Sequence, residues 1–192
     1  MHRRSWLLSV LLGGAALALS PPVLASLFEP VRDRQLVCES TAIIRGKVTD
    51  ARSDWDAQHQ AIWTTAIVQI DAVHRGSLSP GMSITVKEVG GTVGSFTLAA
   101  EGFPTFTQGE EVVLLLRPWE DDPHTYRVWG YGRGKFTLTR RDGRGPTAIR
   151  ADVDRSGRPT MFTDRLPPAS VLGELEASLD SLAKSCGAGG AP

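Results

Sequence analysis

Residues 62–73 alternate without a break. Ile62, Thr64, Ala66, Val68, Ile70 and Ala72 fall on one side, and Trp63, Thr65, Ile67, Gln69 and Asp71 on the other. A period of two in a run rich in β-branched residues predicts a strand with one face in a core. Residues 41–48 repeat the pattern: Ala42, Ile44, Gly46 and Val48 oppose Arg45, Lys47 and Thr49. Gly46 in mid-strand marks a bulge or sharp bend, as at a barrel corner. Between these runs, residues 50–60 are polar and read as a loop. Arg75-Gly-Ser-Leu-Ser-Pro-Gly81 is a turn punctuated by Gly and Pro, and residues 82–89 follow as a third strand with Met82, Ile84 and Val86 on one side.

Two glycine-rich stretches flank the next strands, Gly90-Gly-Thr-Val-Gly94 and Gly130-Tyr-Gly-Arg-Gly-Lys135. The first needs permissive backbone and positive φ. Residues 96–108 are irregular and apolar, with Phe103-Pro104 and Phe106, and suit a cover for a barrel end. Val112-Val-Leu-Leu-Leu116 is continuously apolar, the mark of a strand covered on both faces. Pro118 stops it, and residues 120–123 form a hairpin-like loop. Residues 126–129 and 135–139 then read as a strand pair around a tight second glycine turn.

After Arg140 the texture changes. Residues 140–146 are a turn-rich connector, and residues 148–153 and 160–162 are short strands. Pro167-Pro168 opens a helix, since proline suits the first turn. Val171, Leu172, Leu175, Leu179 and Leu182 make its apolar stripe, and Gly187 ends it. The organisation is therefore a barrel over 38–140, strands and a C-terminal helix packed on it over 141–186, and a tail over 187–192. The fold class is all-β with one C-terminal helix.

The N-terminus is of a different kind. Arg3 and Arg4 precede an apolar stretch from Trp6 to about Leu19, Pro21 and Pro22 break it, and Val23-Leu24-Ala25 fits a cleavage site. Residues 1–25 are the pattern of a signal peptide, and the stretch is shorter than the roughly 20 apolar residues a membrane span needs. Arg3-Arg-Ser-Trp-Leu-Leu8 also fits a twin-arginine signal, with an ordinary secretory signal as the alternative. Cleavage after Ala25 leaves residues 26–37 as an extended lead-in. No later stretch is long and apolar enough to span a membrane. Of the 21 basic and 21 acidic residues, losing Arg3 and Arg4 leaves 19 against 21, a net charge of −2. A near-neutral chain lacks the basic excess that a nucleic-acid partner calls for.

Two cysteines remain, Cys38 and Cys186. An even count in an oxidising compartment suggests a bridge, with two unpaired thiols as the alternative. A bridge across the 147 intervening residues is worth about 5 kcal/mol by loop entropy. Val37 is too large to precede a lipidated cysteine, which excludes lipidation of Cys38.

Catalytic and metal chemistry find little support. His59, His74 and His124 are isolated in or near loops, and there is no His-Glu-x-x-His. Asp54 and Asp56, or residues 120–122, lack the ligand count and glycine placement of a calcium loop. No Gly-x-Ser-x-Gly elbow occurs. Gly130–Lys135 lacks the Ser/Thr and helix of a phosphate loop. No catalytic residue, metal or cofactor is therefore assigned. A barrel face carrying Arg45, Lys47, Trp63, Lys87, Arg127 and Trp129 would mix basic and aromatic groups, as oligonucleotide- and oligosaccharide-binding barrels do. The alternative is that Trp63 and Trp129 pack beneath residues 96–108 or the C-terminal helix.

The order of motifs is itself informative. Ala42-Ile-Ile-Arg-Gly-Lys-Val precedes Ser53-Asp-Trp, Ile62-Trp-Thr, His74-Arg-Gly, Gly90-Gly-x-x-Gly, Phe103-Pro-x-Phe, Gly109-Glu-x-Val-Val-Leu-Leu-Leu and Gly132-x-Gly-Lys-Phe. Over about a hundred residues this resembles a family of uncharacterised exported bacterial proteins. More distantly it is similar to the netrin-like, OB-fold domain of the tissue inhibitors of metalloproteinases. The resemblance implies a small OB-like barrel. The inhibitors chelate zinc through a cysteine at the mature N-terminus, whereas here Ser26 takes that place and Cys38 lies twelve residues inside. Their many cysteines are also missing, so the fold carries over and the activity does not. The expectation is an exported, non-enzymatic protein of the periplasm or extracellular space that binds an envelope or extracellular protein. A protease partner is suggested by the resemblance alone. A glycan or small ligand on the aromatic face is the second reading, and a hydrolase with a dispersed site the third.

Overall fold

The computed structural model describes residues 32–140, 145–152 and 166–186. The expected signal, the lead-in up to residue 31, the expected strand at 160–162 and the expected tail lie outside these residues.

Helix α1 (Asp33–Glu39) comes first, followed by two 14-residue strands, β1 (Ala42–Trp55) and β2 (Ile62–Arg75). They form a long antiparallel hairpin with register shifts at Ile43/Ile44, Arg45/Gly46 and Val48/Asp50. The second shift falls at Gly46, where a side chain would run into the Gln69 carbonyl of β2. The glycine thus lets β1 bend while staying paired to β2 on one side and to β6 on the other. Strand β3 (Ser83–Val89) pairs with β2. A small hairpin follows, β4 (Gly91–Val93) with β5 (Phe96–Leu98). Strand β6 (Glu111–Pro118) pairs with β1, with β7 (Thr125–Val128) and with β8 (Lys135–Thr139). A parallel pairing of β3 with β7, through Thr85/Thr125 and Val86/Tyr126, closes the ring β1-β2-β3-β7-β6. This is a five-stranded OB-like barrel. Strands β8, β9 (Thr147–Arg150) and β10 (Ala169–Val171) extend the sheet, and helix α2 (Leu172–Ser185) packs on it.

Two cores result, separated by the barrel wall. Ile44, Val48, Ala66, Val68, Ile70, Ile84, Val86 and Val128 fill the interior, and Phe106 joins them from the 96–108 segment. Leu36 and Val37 of α1 and Leu172, Leu175, Leu179 and Leu182 of α2 form the second core outside. Strand β6 serves both. Val112, Leu114 and Leu116 point in, Val113 and Leu115 point out, and all five are fully buried. The uninterrupted apolar run is explained by those two coverings.

Several expectations are corrected. Residues 33–37 are not extended lead-in but part of α1, too short to be helical by propensity and held by burial of Leu36 and Val37. The 50–60 segment is mostly strand, because β1 keeps pairing with β2 out to Trp55. The first glycine cluster is not a simple turn: Gly91–Val93 is a strand, with Gly94 at the bend. Nor is the second a tight hairpin. The flanking strands β7 and β8 do not pair with each other. They lie end to end along β6, and residues 130–134 loop out between them, with a 3₁₀ turn at Tyr131–Gly134. Helix α2 begins at Leu172 rather than at the proline pair, because residues 169–171 are taken by β10.

Candidate binding face

Alternation dictates which side chains leave the barrel. With Thr64, Val86, Leu116 and Val128 facing inward, Trp63, Lys87, Arg117 and Arg127 must face outward. The four lie on β2, β3, β6 and β7, around the seam that closes the ring. Trp119 and Trp129, one residue past the ends of β6 and β7, continue the same face.

These six side chains form one ladder. The Lys87 ammonium lies 5.1 Å from the Trp63 ring centroid. Trp63 meets Trp119 edge to face, with centroids 5.7 Å apart. Arg127 lies over both Trp119 at 5.2 Å and Trp129 at 5.5 Å, and Arg117 covers Trp129 at 4.1 Å. Trp119 Nε1 also donates to the Lys87 carbonyl at 3.3 Å, a side-chain link across the seam. Every ring in the row therefore carries a cation over a face. Such contacts contribute about 0.5–1 kcal/mol each when exposed. Arg127 Nε and Trp129 Nε1 are buried and meet no acceptor among the described residues.

Of the residues expected to share a face, the structure brings together Trp63, Lys87, Arg127 and Trp129. Arg45 and Lys47 lie apart. Arg45 is drawn under α2, where its guanidinium pairs with Glu176 at 2.9 Å. Lys47 is exposed on β1, between Gln69 and Glu111. Arg117 and Trp119 complete the ladder and were not anticipated. Their signal was available: Arg117 and Trp119, and likewise Arg127 and Trp129, are two apart on either side of the 120–123 loop.

Beneath the ladder lies Glu88, an inward carboxylate in a hydrophobic wall and only 4% exposed. Its Oε1 accepts the Val128 N–H at 2.5 Å, just past the two residue pairs that join β3 to β7. Burial pushes its pKa up to about 7, against opposing contributions from the Val128 N–H and the Arg127 charge. Glu88 is thus a side-chain latch on the barrel seam.

The remaining charged clusters are structural in character. Lys135 is buried, pairs with Glu110 at 2.7 Å, donates to the Thr105 carbonyl and sits over the Phe106 ring. Burial lowers its pKa and Glu110 opposes the shift. Asp33, Arg133, Arg150 and Asp152 form a buried ionic network tying α1 to the 130–134 loop and β9, with Arg133–Asp33 and Arg150–Asp152 both at 2.6 Å. The basic residue of the second glycine loop is therefore spent on α1. His74 lies between Glu176 and Asp180 of α2, at 3.4 and 3.2 Å. Cys38 and Cys186 are disulfide-bonded, joining α1 to the end of α2, and Arg34 adds a hydrogen bond to the Ser185 carbonyl. Among the described residues no three His, Cys, Asp or Glu side chains cluster as metal ligands.

The chain matches no protein-family model and no curated protein. The geometry adds one observation on the inhibitor-like arrangement. Cys38 sits inside α1, whose Asp33 and Leu36 are fully buried. A cleavage just before Cys38 would strip those anchors from the fold. Among the described residues no helix is long and apolar enough to cross a membrane.

Proposed function

We propose that this chain is an exported, non-enzymatic binding module that docks a protein partner on the Trp–Arg face of its barrel. The observation that carries the reading is the six-membered ladder itself. Three of the chain's five tryptophans and two arginines converge on one stripe, at whose end Trp129 is half-buried against the second core. Tryptophan and arginine are the side chains most enriched at energetic centres of protein interfaces. The ladder also holds them in fixed geometry before any partner arrives, which lowers the entropic cost of docking. A glycan reading needs open ring faces for sugars to stack on, and each ring already has a cation over one face. The disulfide suits an oxidising compartment outside the cytoplasm.

The test is retention of proteins from the envelope and medium of the producing cells on the immobilised mature chain. A partner retained by the wild type and by Lys47→Glu, but lost with Trp129→Ala and with Arg117→Glu, supports the reading. Equal retention by all four proteins, or none by any, refutes it.

A further inference from the structure

We infer that the partner segment taken by this face is a carboxylate-rich peptide. The inference rests on the reading of the ladder as a protein-docking surface and adds the chemistry of what docks there.

Arg117 and Arg127 stand directly opposite each other across β6 and β7. Like charges in opposed positions of a sheet repel. Lys87 adds a third cation on β3, the neighbouring strand. Adjacent strands are about 5 Å apart, so the three charges form a row roughly 10 Å across. Elsewhere on the sheet Arg45 has Glu176, Lys135 has Glu110 and Arg150 has Asp152, while the half-buried Arg75 donates to the Ser40 and Cys38 carbonyls. Lys87, Arg117 and Arg127 have no ion pair among the described residues. The acids nearby do not supply one. Glu88 faces the interior and is engaged by the Val128 N–H. Asp122 is held by Thr125 and His124 within its own turn. Glu120 and Asp121, exposed beside it, make no ion pair with the row.

A sheet that gathers three cations on one stripe and leaves them without carboxylates breaks a local rule, and such places are where function is found. The indole rings hold the guanidinium groups in position; the Arg117 N–H edge and the terminal N–H groups of Arg127, whose Nε is buried, are left as the contacts. Carboxylates of aspartate and glutamate engage such edges in bidentate fashion. Bases and sugars would stack on the ring faces, one of which on each indole a cation already takes.

The experiment uses the mature chain with a fluorescently labelled hexaglutamate peptide, followed by anisotropy at low and at physiological salt. Binding is expected, weakened at least roughly tenfold in Arg117→Glu/Arg127→Glu and unchanged in Lys47→Glu. The indole N–H resonances of Trp63, Trp119 and Trp129 should shift while that of Trp55, off the row, stays. Arg117→Gln/Arg127→Gln gives the same comparison should the charge reversal unfold the barrel. No binding, equal loss in Lys47→Glu, or tighter binding of oligogalacturonate or oligothymidylate overturns the inference. A protein retained through the ladder that hexaglutamate fails to displace overturns the acidic segment while leaving the docking role intact. Retention of no protein through the ladder overturns both.

Discussion

Replacing Glu88 by glutamine should remove a defined part of the protein's pH dependence. Glu88 titrates at about 7 in the fold, against an ordinary value of 4.5. A carboxyl with a raised folded pKa holds its proton more tightly in the native state than in the unfolded chain. Its contribution to stability is complete below about 4.5 and is lost as pH rises through about 7. The difference of about 2.5 pH units corresponds to roughly 3 kcal/mol. Of this, about 2–3 kcal/mol is lost between pH 5 and pH 8, most of it before pH 7. Glutamine keeps the oxygen that accepts the Val128 N–H and cannot ionise. Urea unfolding at pH 5, 6, 7 and 8 should show wild type losing that amount relative to Glu88→Gln. Parallel pH profiles would show that Glu88 is not buried and latched as described.

Other perturbations probe the rest of the scaffold. Cys38→Ser with Cys186→Ser should lower the unfolding free energy by up to about 5 kcal/mol, the loop-entropy value, measured in urea under non-reducing conditions. Asp33→Ala leaves Arg133 and Arg150 in a buried site short of a carboxylate, and should cost about 3–5 kcal/mol by the same measurement. Leu114→Ala opens the barrel interior and should cost about 2–5 kcal/mol, with the ladder's indole resonances moving only slightly. Intact mass of the protein recovered from producing cells should correspond to a chain beginning at Ser26, and a mass that retains residues 1–25 would contradict the cleavage site.

The barrel was legible because its strands carry their own evidence. The alternation of residues 62–73 survives as the inward and outward faces of β2. The Val112–Leu116 run states that β6 has no solvent face, which is what a wall between two cores requires. The misread parts depend on tertiary partners. Residues 33–37 are helical only because the second core takes Leu36 and Val37. Residues 130–134 resemble a tight turn because nothing local shows that β7 and β8 share β6 as partner. The face was half legible for the same reason. Trp63, Lys87, Arg127 and Trp129 follow from alternation. Arg117 and Trp119 needed the hairpin register that sets Arg117 against Arg127. Arg45 was misplaced because its partner Glu176 is on a helix 131 residues away in sequence.

The central claim is that the ladder is where a protein partner sits. Placing a photo-cross-linking side chain at position 87, and in a second protein at position 47, tests it most directly. Both positions are exposed on the same barrel, but only position 87 belongs to the row. Adducts with one protein from position 87, absent from position 47 and lost when Arg117→Glu and Arg127→Glu are added, are the predicted result. Adducts of equal yield from both positions, or none from position 87, would contradict it.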